Sequence, residues 1–223
     1  TDKTGTVVWH RDILDVDITT GEWLILARTN FIANRIATTL KEQGFLFWRE
    51  GSGWSISPNV LTGIEVWLRL CKGKTISAQE LKKFEKQIKP TSLSKSGRTI
   101  LRSLDPETFY TLDDIIEKCS WPISKETPWH EVIKVSDKEQ IYITSVRKAG
   151  EKILTGKPRV KISTIHRAKG GEADNVALLL DSSKACSESP DQDGEVRAFY
   201  VGMTRAKQSL HLVEPQTRYG FYL

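Results

Sequence analysis

Two runs of five consecutive apolar residues, Trp23-Leu-Ile-Leu-Ala27 and Val176-Ala-Leu-Leu-Leu180, set the strongest limit on how this chain folds. Successive side chains of a strand point to opposite faces, so a strand with no polar alternation needs cover on both sides. Parallel sheets with helices on both faces supply that cover. Val160, Ile162 and Ile165 are spaced as a third, mostly buried strand. After Ala27, Ile32, Ile36, Ala37 and Leu40 recur at helical spacing up to Gly44, which suits a C′ position, and Phe45 to Trp48 resumes as a strand. This β-α-β unit demands a parallel sheet with a right-handed crossover. Thr6 to Trp9 reads as an edge strand and Ser209 to Val213 as a last one. The expected fold is α/β, a mostly parallel sheet flanked by helices.

At 223 residues the chain has room for one large domain, or for one domain that carries an inserted subdomain. The middle third reads as such an insertion. Ser57-Pro58 opens a helix through Val60, Ile64, Trp67, Leu68 and Leu70 to Gly73, the serine as cap and Pro at N1. Ser77-x-x-Glu80 is a capping box that starts another helix, expected to run to about Lys89. Thr91 to Thr99 is polar and turn-rich and reads as a mobile loop. Phe109 to Lys118 and Trp129 to Val135 look like short helices. Ser136-x-x-Glu139 opens a further helix carrying Ile141, Ile143, Val146 and Ile153. Residues 75–155 are therefore expected to form a small helical insertion between segments 1–74 and 156–223 of the sheet domain. Ser182 to Gly194 reads as an exposed loop.

Net charge is +5 with a pI near 9.0, which permits nucleic-acid binding without requiring it. Lys72 to Arg102 holds seven lysines and two arginines against two glutamates, enough to track a polyanion and equally the mark of a solvated helix face. The three cysteines, Cys71, Cys119 and Cys186, have neither C-x-x-C spacing nor a nearby histidine, so free thiols are expected, with neither disulfide nor zinc. With no signal pattern and no apolar run near the roughly 18 residues a bilayer span needs, a cytoplasmic location follows as an expectation. A chain beginning Thr1-Asp-Lys reads as a piece of something longer.

The candidate chemistry lies in the charged loop between the last two buried strands and in a helix near the C-terminus. Thr164, His166, Arg167, Lys169, Gly170, Gly171 and Glu172 occupy a strand-end loop, where open α/β sheets bind ligands, and a basic glycine-containing loop there suits a polyanion. Glu195-Val-Arg-Ala-Phe-Tyr-Val-Gly-Met-Thr-Arg-Ala206 is a helix that ends in arginine just before a strand. His166-Arg-Ala-Lys-Gly-Gly-Glu172 resembles the His-x-Ala-Lys-Gly-Leu-Glu-Phe signature of UvrD/Rep-type superfamily 1 DNA helicases, departing from it at Gly171 and Ala173. The second stretch is similar to that family's late Tyr-Val-x-x-Thr-Arg-Ala motif, and Arg28-Thr29-Asn30 to its Arg-Ser/Thr-Asn.

What the resemblance implies is specific. The fold would be the second RecA-like domain of an ATP-dependent DNA helicase moving 3′ to 5′. Arg205 would be the arginine finger that meets the γ-phosphate. Glu172 would face the nucleotide's ribose, and Gly170 would shape the loop beside phosphate. Thr164, His166, Arg167 and Lys169 would contact single-stranded or partly duplex DNA. ATP with Mg²⁺ would be completed by an N-terminal domain carrying the P-loop and metal ligands. Gly73-Lys74-Thr75 has the last letters of a P-loop, but Leu68 stands where the upstream glycine belongs and the segment closes a helix. The fragment alone is accordingly expected to be inactive. A stand-alone nucleic-acid-binding or protein-interaction module with the same fold is the alternative, and no nuclease carboxylate constellation is present to support a nuclease fusion. Trp48, Trp54, Trp67, Trp121 and Trp129 either stack bases or fill cores, and Trp67, on the apolar face of its helix, reads as core.

Overall fold

The computed structural model describes residues 4–151, 158–168 and 170–222. In chain order the elements are β1 (Thr6–His10), β2 (Trp23–Ala27), α1 (Asn30–Glu42), β3 (Phe47–Arg49), β4 (Gly53–Trp54), α2 (Pro58–Cys71), β5 (Ile76–Ser77), α3 (Ala78–Glu85), α4 (Lys95–Ser103), β6 (Phe109–Tyr110), α5 (Leu112–Cys119), α6 (Trp129–Val132), α7 (Asp137–Lys148), β7 (Val160–Thr164), β8 (Ala173–Leu179), α8 (Lys184–Ser187), α9 (Gln192–Met203) and β9 (Ala206–Val213). They fall into two compact units, Thr1–Ser55 with Gly156–Leu223, and Ile56–Thr155. The helical unit thus takes in α2, which the sequence reading left with the sheet.

The first unit is built on a seven-stranded sheet in the order β1-β9-β8-β2-β7-β3-β4, parallel throughout except for the β3–β4 hairpin. The α/β, RecA-like expectation holds. β2 lies at the centre, paired with β7 on one side and β8 on the other, and all five of its residues are buried. Alternation along the strands divides the core. Trp23, Ile25 and Ala27 join Val160, Ile162, Ala177 and Leu179 beneath Ile32, Ile36 and Leu40 of α1. Leu24 and Leu26 join Val176, Leu178 and Leu180 beneath Phe199 of α9. The continuous apolar runs follow from this two-sided cover. Thr29 caps α1, its hydroxyl accepting from the Ile32 N–H, and Gly44 follows the helix at φ +77°, a left-handed conformation that costs glycine little.

The second unit is helical with a two-stranded antiparallel sheet of β5 and β6. Trp67 and Trp121 are 1% and 2% exposed, with ring centroids 6.1 Å apart, so both fill its core rather than stack bases. Their indole N–H groups donate to the Thr127 and Ser92 carbonyls, which removes the cost of burying them.

Several local expectations are corrected. Ser57 makes no side-chain cap of α2, although Pro58 sits at its start as expected. α3 ends at Glu85, short of Lys89. The stretch 91–99 is not a loop throughout: Ser94 accepts from the Gly97 N–H and starts α4, whose Arg98 and Arg102 both reach the buried carboxylate of Glu85. A partner distant in sequence therefore stabilises a helix that weak local propensity leaves unformed. Ile141 is 67% exposed while Ile143 and Val146 are fully buried, and Ile153 lies outside the described residues. The segment 182–194 holds α8 and the start of α9, capped by Ser183 and Asp191.

Candidate functional site

Because the strands run parallel, everything that follows a strand lies at one end of the sheet and everything that precedes one lies at the other. The β7–β8 connection travels between these ends. It begins with a turn in which the Thr164 carbonyl accepts from the Arg167 and Ala168 N–H groups, and it is fastened by Ile165 and Ala168, buried against the α9 face. Gly170 is at φ +82°, where a side chain is strained, and the Gly171 N–H returns to the Ala168 carbonyl. Ile165 and Ala168 thus anchor the loop even though Gly171 and Ala173 replace the bulkier residues of the resembling signature.

The candidate residues consequently separate into two groups. At the C-terminal end of the strands, His166 and Arg167 are exposed, whereas Thr164 is 7% exposed and serves the turn through its carbonyl. Arg28, directly after β2, donates from Nε and Nη2 to the two carboxylate oxygens of Glu195 at 2.7 and 2.6 Å, and its Nη1 lies 3.5 Å from His166 Nδ1. Both partners of this fork are mostly buried, and the charged hydrogen bond to Glu195 pushes the Arg28 guanidinium above its ordinary range. Arg28 is a positioning residue: it ties the start of α9 to the loop bearing His166. A recess of about 170 Å³ lies beside this junction, lined by Ile165, His166, Gly194, Arg197, Ala198 and Val201. Arg167 reaches sideways, its Nη1 donating to the Glu50 carbonyl at 3.4 Å, over the tip of the β3–β4 hairpin.

At the N-terminal end of the strands, Glu172 precedes β8 and Arg205 precedes β9, and the two backbones are joined by the Ala173 N–H donating to the Arg205 carbonyl at 3.1 Å. Arg205 lies on the end of its own helix, donating from Nε to the Val201 carbonyl at 3.0 Å and from Nη2 to the Thr204 hydroxyl at 3.1 Å. Cations at a helix C-terminus are stabilised there. Among the described residues no carboxylate pairs with it, so most of its five N–H donors are uncommitted. Glu172 faces Lys207 at 3.8 Å, a half-exposed pair worth little in water. Lys169 lies outside the described residues.

Sequence reasoning missed Glu195 as the partner of Arg28, since 167 positions separate them. It also missed Asp181, which is 1% exposed, takes Arg35 at 2.6 Å and accepts the Gln216 and Thr217 N–H groups, holding the C-terminal tail. No helix among the described residues is long and apolar enough to cross a membrane, and no group of three or more His, Cys, Asp or Glu there could hold a metal.

Comparison with curated proteins returned no match. The UvrD-like helicase C-terminal domain, as a family, matches residues 74–216, well over half of the sequence and including both late motifs. With a mostly parallel sheet and both motifs at the ends of its strands, the chain belongs to the UvrD-like helicase C-terminal domain family.

Proposed function

We propose that this chain is the second motor domain of an ATP-dependent DNA helicase moving 3′ to 5′, in which one end of the sheet meets nucleotide and the other meets single-stranded DNA. The observation that carries the reading is the separation of Arg205 and Glu172 from His166 and Arg167 to opposite ends of one sheet, with α9 running between them. The residues present fit a nucleotide. Arg205 offers a planar, permanently charged fork that no carboxylate of the described residues pairs with, suited to the terminal phosphate, and Glu172 offers an acceptor suited to ribose hydroxyls. Bound ATP supplies the phosphoryl group whose transfer to water releases free energy. The P-loop and the Mg²⁺ ligands are assigned to a preceding motor domain.

In this reading Arg205 stabilises charge on the transferring phosphoryl group. His166 and Arg167, with Lys169, hold the strand through its phosphates, which fixes position without reading sequence. Thr164 is assigned to shaping the turn and to any contact through its backbone. α9 links the two ends physically: Glu195 near its start is clamped by Arg28, and Arg205 follows its last turn. Closure on ATP and opening after hydrolysis would then be felt at the strand as a hinge-type movement.

The test is a two-domain enzyme in which this chain is joined to its P-loop domain. Arg205→Ala is expected to abolish turnover while sparing affinity for single-stranded DNA, and His166→Ala to weaken DNA while sparing ATP affinity. Identical losses from both variants would sink the division of labour. Hydrolysis by this chain alone at ordinary enzyme rates, about 1–10³ s⁻¹, would overturn the assignment to half of a motor.

A further inference from the structure

The two edges of the seven-stranded sheet are finished differently. β4 is two residues long and closes a hairpin with β3, so it leaves little backbone for another strand to join. β1 runs for five residues, Thr6-Val-Val-Trp-His10, with no Asp, Glu, Lys, Arg or Pro and no bulge against β9. Among the described residues no strand pairs with its outer side. Val7, Val8 and Trp9 are 61%, 39% and 52% exposed. A long, apolar edge without charge or proline is a template for a further strand.

The ladder fixes which backbone groups are free. The Glu214 N–H donates to the His10 carbonyl at 2.9 Å, so His10 turns its N–H and C=O toward β9. Backbone direction alternates along a strand, which puts Thr6 and Val8 on the same side as His10 and turns both groups of Val7 and of Trp9 outward. The side chains of Val7 and Trp9 share one face of the sheet, and Val8 shows the other. A joining strand therefore has to offer two outward-facing residues spaced two apart, carry no charge, and set apolar side chains beside Val7 and Trp9. β1 itself meets each requirement. Run antiparallel to its own copy about a two-fold axis at Val8, it sets Val7 opposite the partner's Trp9, and Trp9 opposite the partner's Val7, as hydrogen-bonded pairs. Val8 then faces its own copy as the close non-hydrogen-bonded pair, with Cα atoms about 4.5 Å apart. Tryptophan against a β-branched residue is a favourable cross-strand pair, and an uncharged strand has nothing to repel its copy. A shift of two residues either way would pair only one outward residue of each strand within the strand.

We propose that the outer edge of β1 joins that of a second copy of this chain, making a continuous sheet through an isologous two-fold contact at Val8. The contact is small, below the roughly 1,200 Å² at which standard interfaces begin, so the dimer is a weak one that forms as concentration rises. The inference does not depend on the helicase reading.

Sedimentation velocity of the full chain from about 1 µM to about 1 mM tests it. The unmodified chain is expected to pass from monomer toward dimer across that range, and one that stays monomeric at the top of it would overturn the proposal. Val8→Lys sets two ammonium groups opposite each other on the axis, and Val8→Glu two carboxylates. Each variant alone is expected to stay monomeric, and an equimolar mixture of the two to dimerise again. Val7→Pro removes an outward N–H and spares the ladder to β9, so it is expected to fold and to stay monomeric. Circular dichroism and the urea midpoint check folding, and if the Val8 variants fail to fold, Val7→Pro decides the matter. Dimers that survive Val7→Pro, or that form as strongly in Val8→Lys as in the unmodified chain, would place the contact elsewhere and remove the proposal.

Discussion

The arginines of the helical unit and those at the edges of the sheet look alike in sequence and behave differently in the fold. Arg98 and Arg102, from the most basic stretch of the chain, both grip Glu85, a carboxylate 2% exposed, and Arg98 also donates to the Ile88 and Lys89 carbonyls. Arg49, Arg167 and Arg205, all outside that stretch, meet only carbonyls and hydroxyls among the described residues. The longest basic stretch therefore lies outside the candidate site. A cation already bonded to a buried carboxylate has little left for a ligand, and removing its partner costs far more than a surface pair would.

The contrast makes predictions of graded size. The largest concerns Arg205: in the two-domain enzyme, Arg205→Ala is expected to slow ATP turnover about 10³- to 10⁵-fold, as for arginine fingers generally, with a much smaller change in ATP affinity. Steady-state ATPase with single-stranded DNA present checks it, and comparable losses in turnover and affinity would mean plain binding.

Next comes Glu85. Glu85→Ala leaves two guanidinium groups facing a buried gap and is expected to destabilise the helical unit by about 3–5 kcal/mol, read from urea unfolding. Burial pushes this carboxyl up, but hydrogen bonds from Arg102 and Arg98 outweigh it and hold the group below its ordinary 4.5. Its folded pKa is thus the lower one. The stabilisation is complete above about 4.5 and is lost as pH falls through the folded value. A helical unit whose stability is flat from pH 6 to pH 3 would contradict the clamp.

A smaller effect belongs to Arg167. Arg167→Gln is expected to weaken oligothymidylate binding several-fold and to reduce the salt slope by about 0.7, without changing the unfolding midpoint. A shifted midpoint with an unchanged slope would make it a structural prop for the hairpin.

The smallest concerns the far side of the sheet, where His10 Nε2 and His211 Nδ1 lie 2.9 Å apart. Burial, and then His10, hold the His211 pKa below its ordinary 6.5. For a histidine lowered in the fold, protonation favours unfolding. Stability is therefore full above about 6.5 and declines as pH falls toward the folded value. A fall of under about 1 kcal/mol between pH 7.5 and 5.5, absent in His211→Gln, is the expected outcome of thermal unfolding.

Where cause is local, the sequence was a good guide. The runs at Trp23–Ala27 and Val176–Leu180 need two-sided cover whatever their neighbours, and Ser77 and Ser136 cap the helices next to them. The two site motifs were legible for the same reason, each being a continuous stretch beside a strand. What was illegible depends on pairs. α4 forms around arginines aimed at a glutamate 13 and 17 residues away, and Glu195 acquires its role from Arg28 across 167 positions. Ser183 and Asp191 read as loop residues because caps and loops share the same amino acids; only in the fold does each accept the N–H three residues on. The extents proposed from sequence, 1–74, 75–155 and 156–223, differ from the two compact units at the first boundary, where α2 joins the helical unit.

α9 also imposes a measure of distance on the molecule. Twelve residues at about 1.5 Å each give a rod of roughly 18 Å, fixed by a charged fork near one end and carrying Arg205 just past the other. Such a rod tolerates exchange of its exposed side chains far better than any change in its number of residues. One residue inserted between Glu195 and Met203 would turn Arg205 by about 100° around the helix axis and advance it by about 1.5 Å. The helix is thus a gauge whose length, more than its surface, keeps the two ends of the sheet in step.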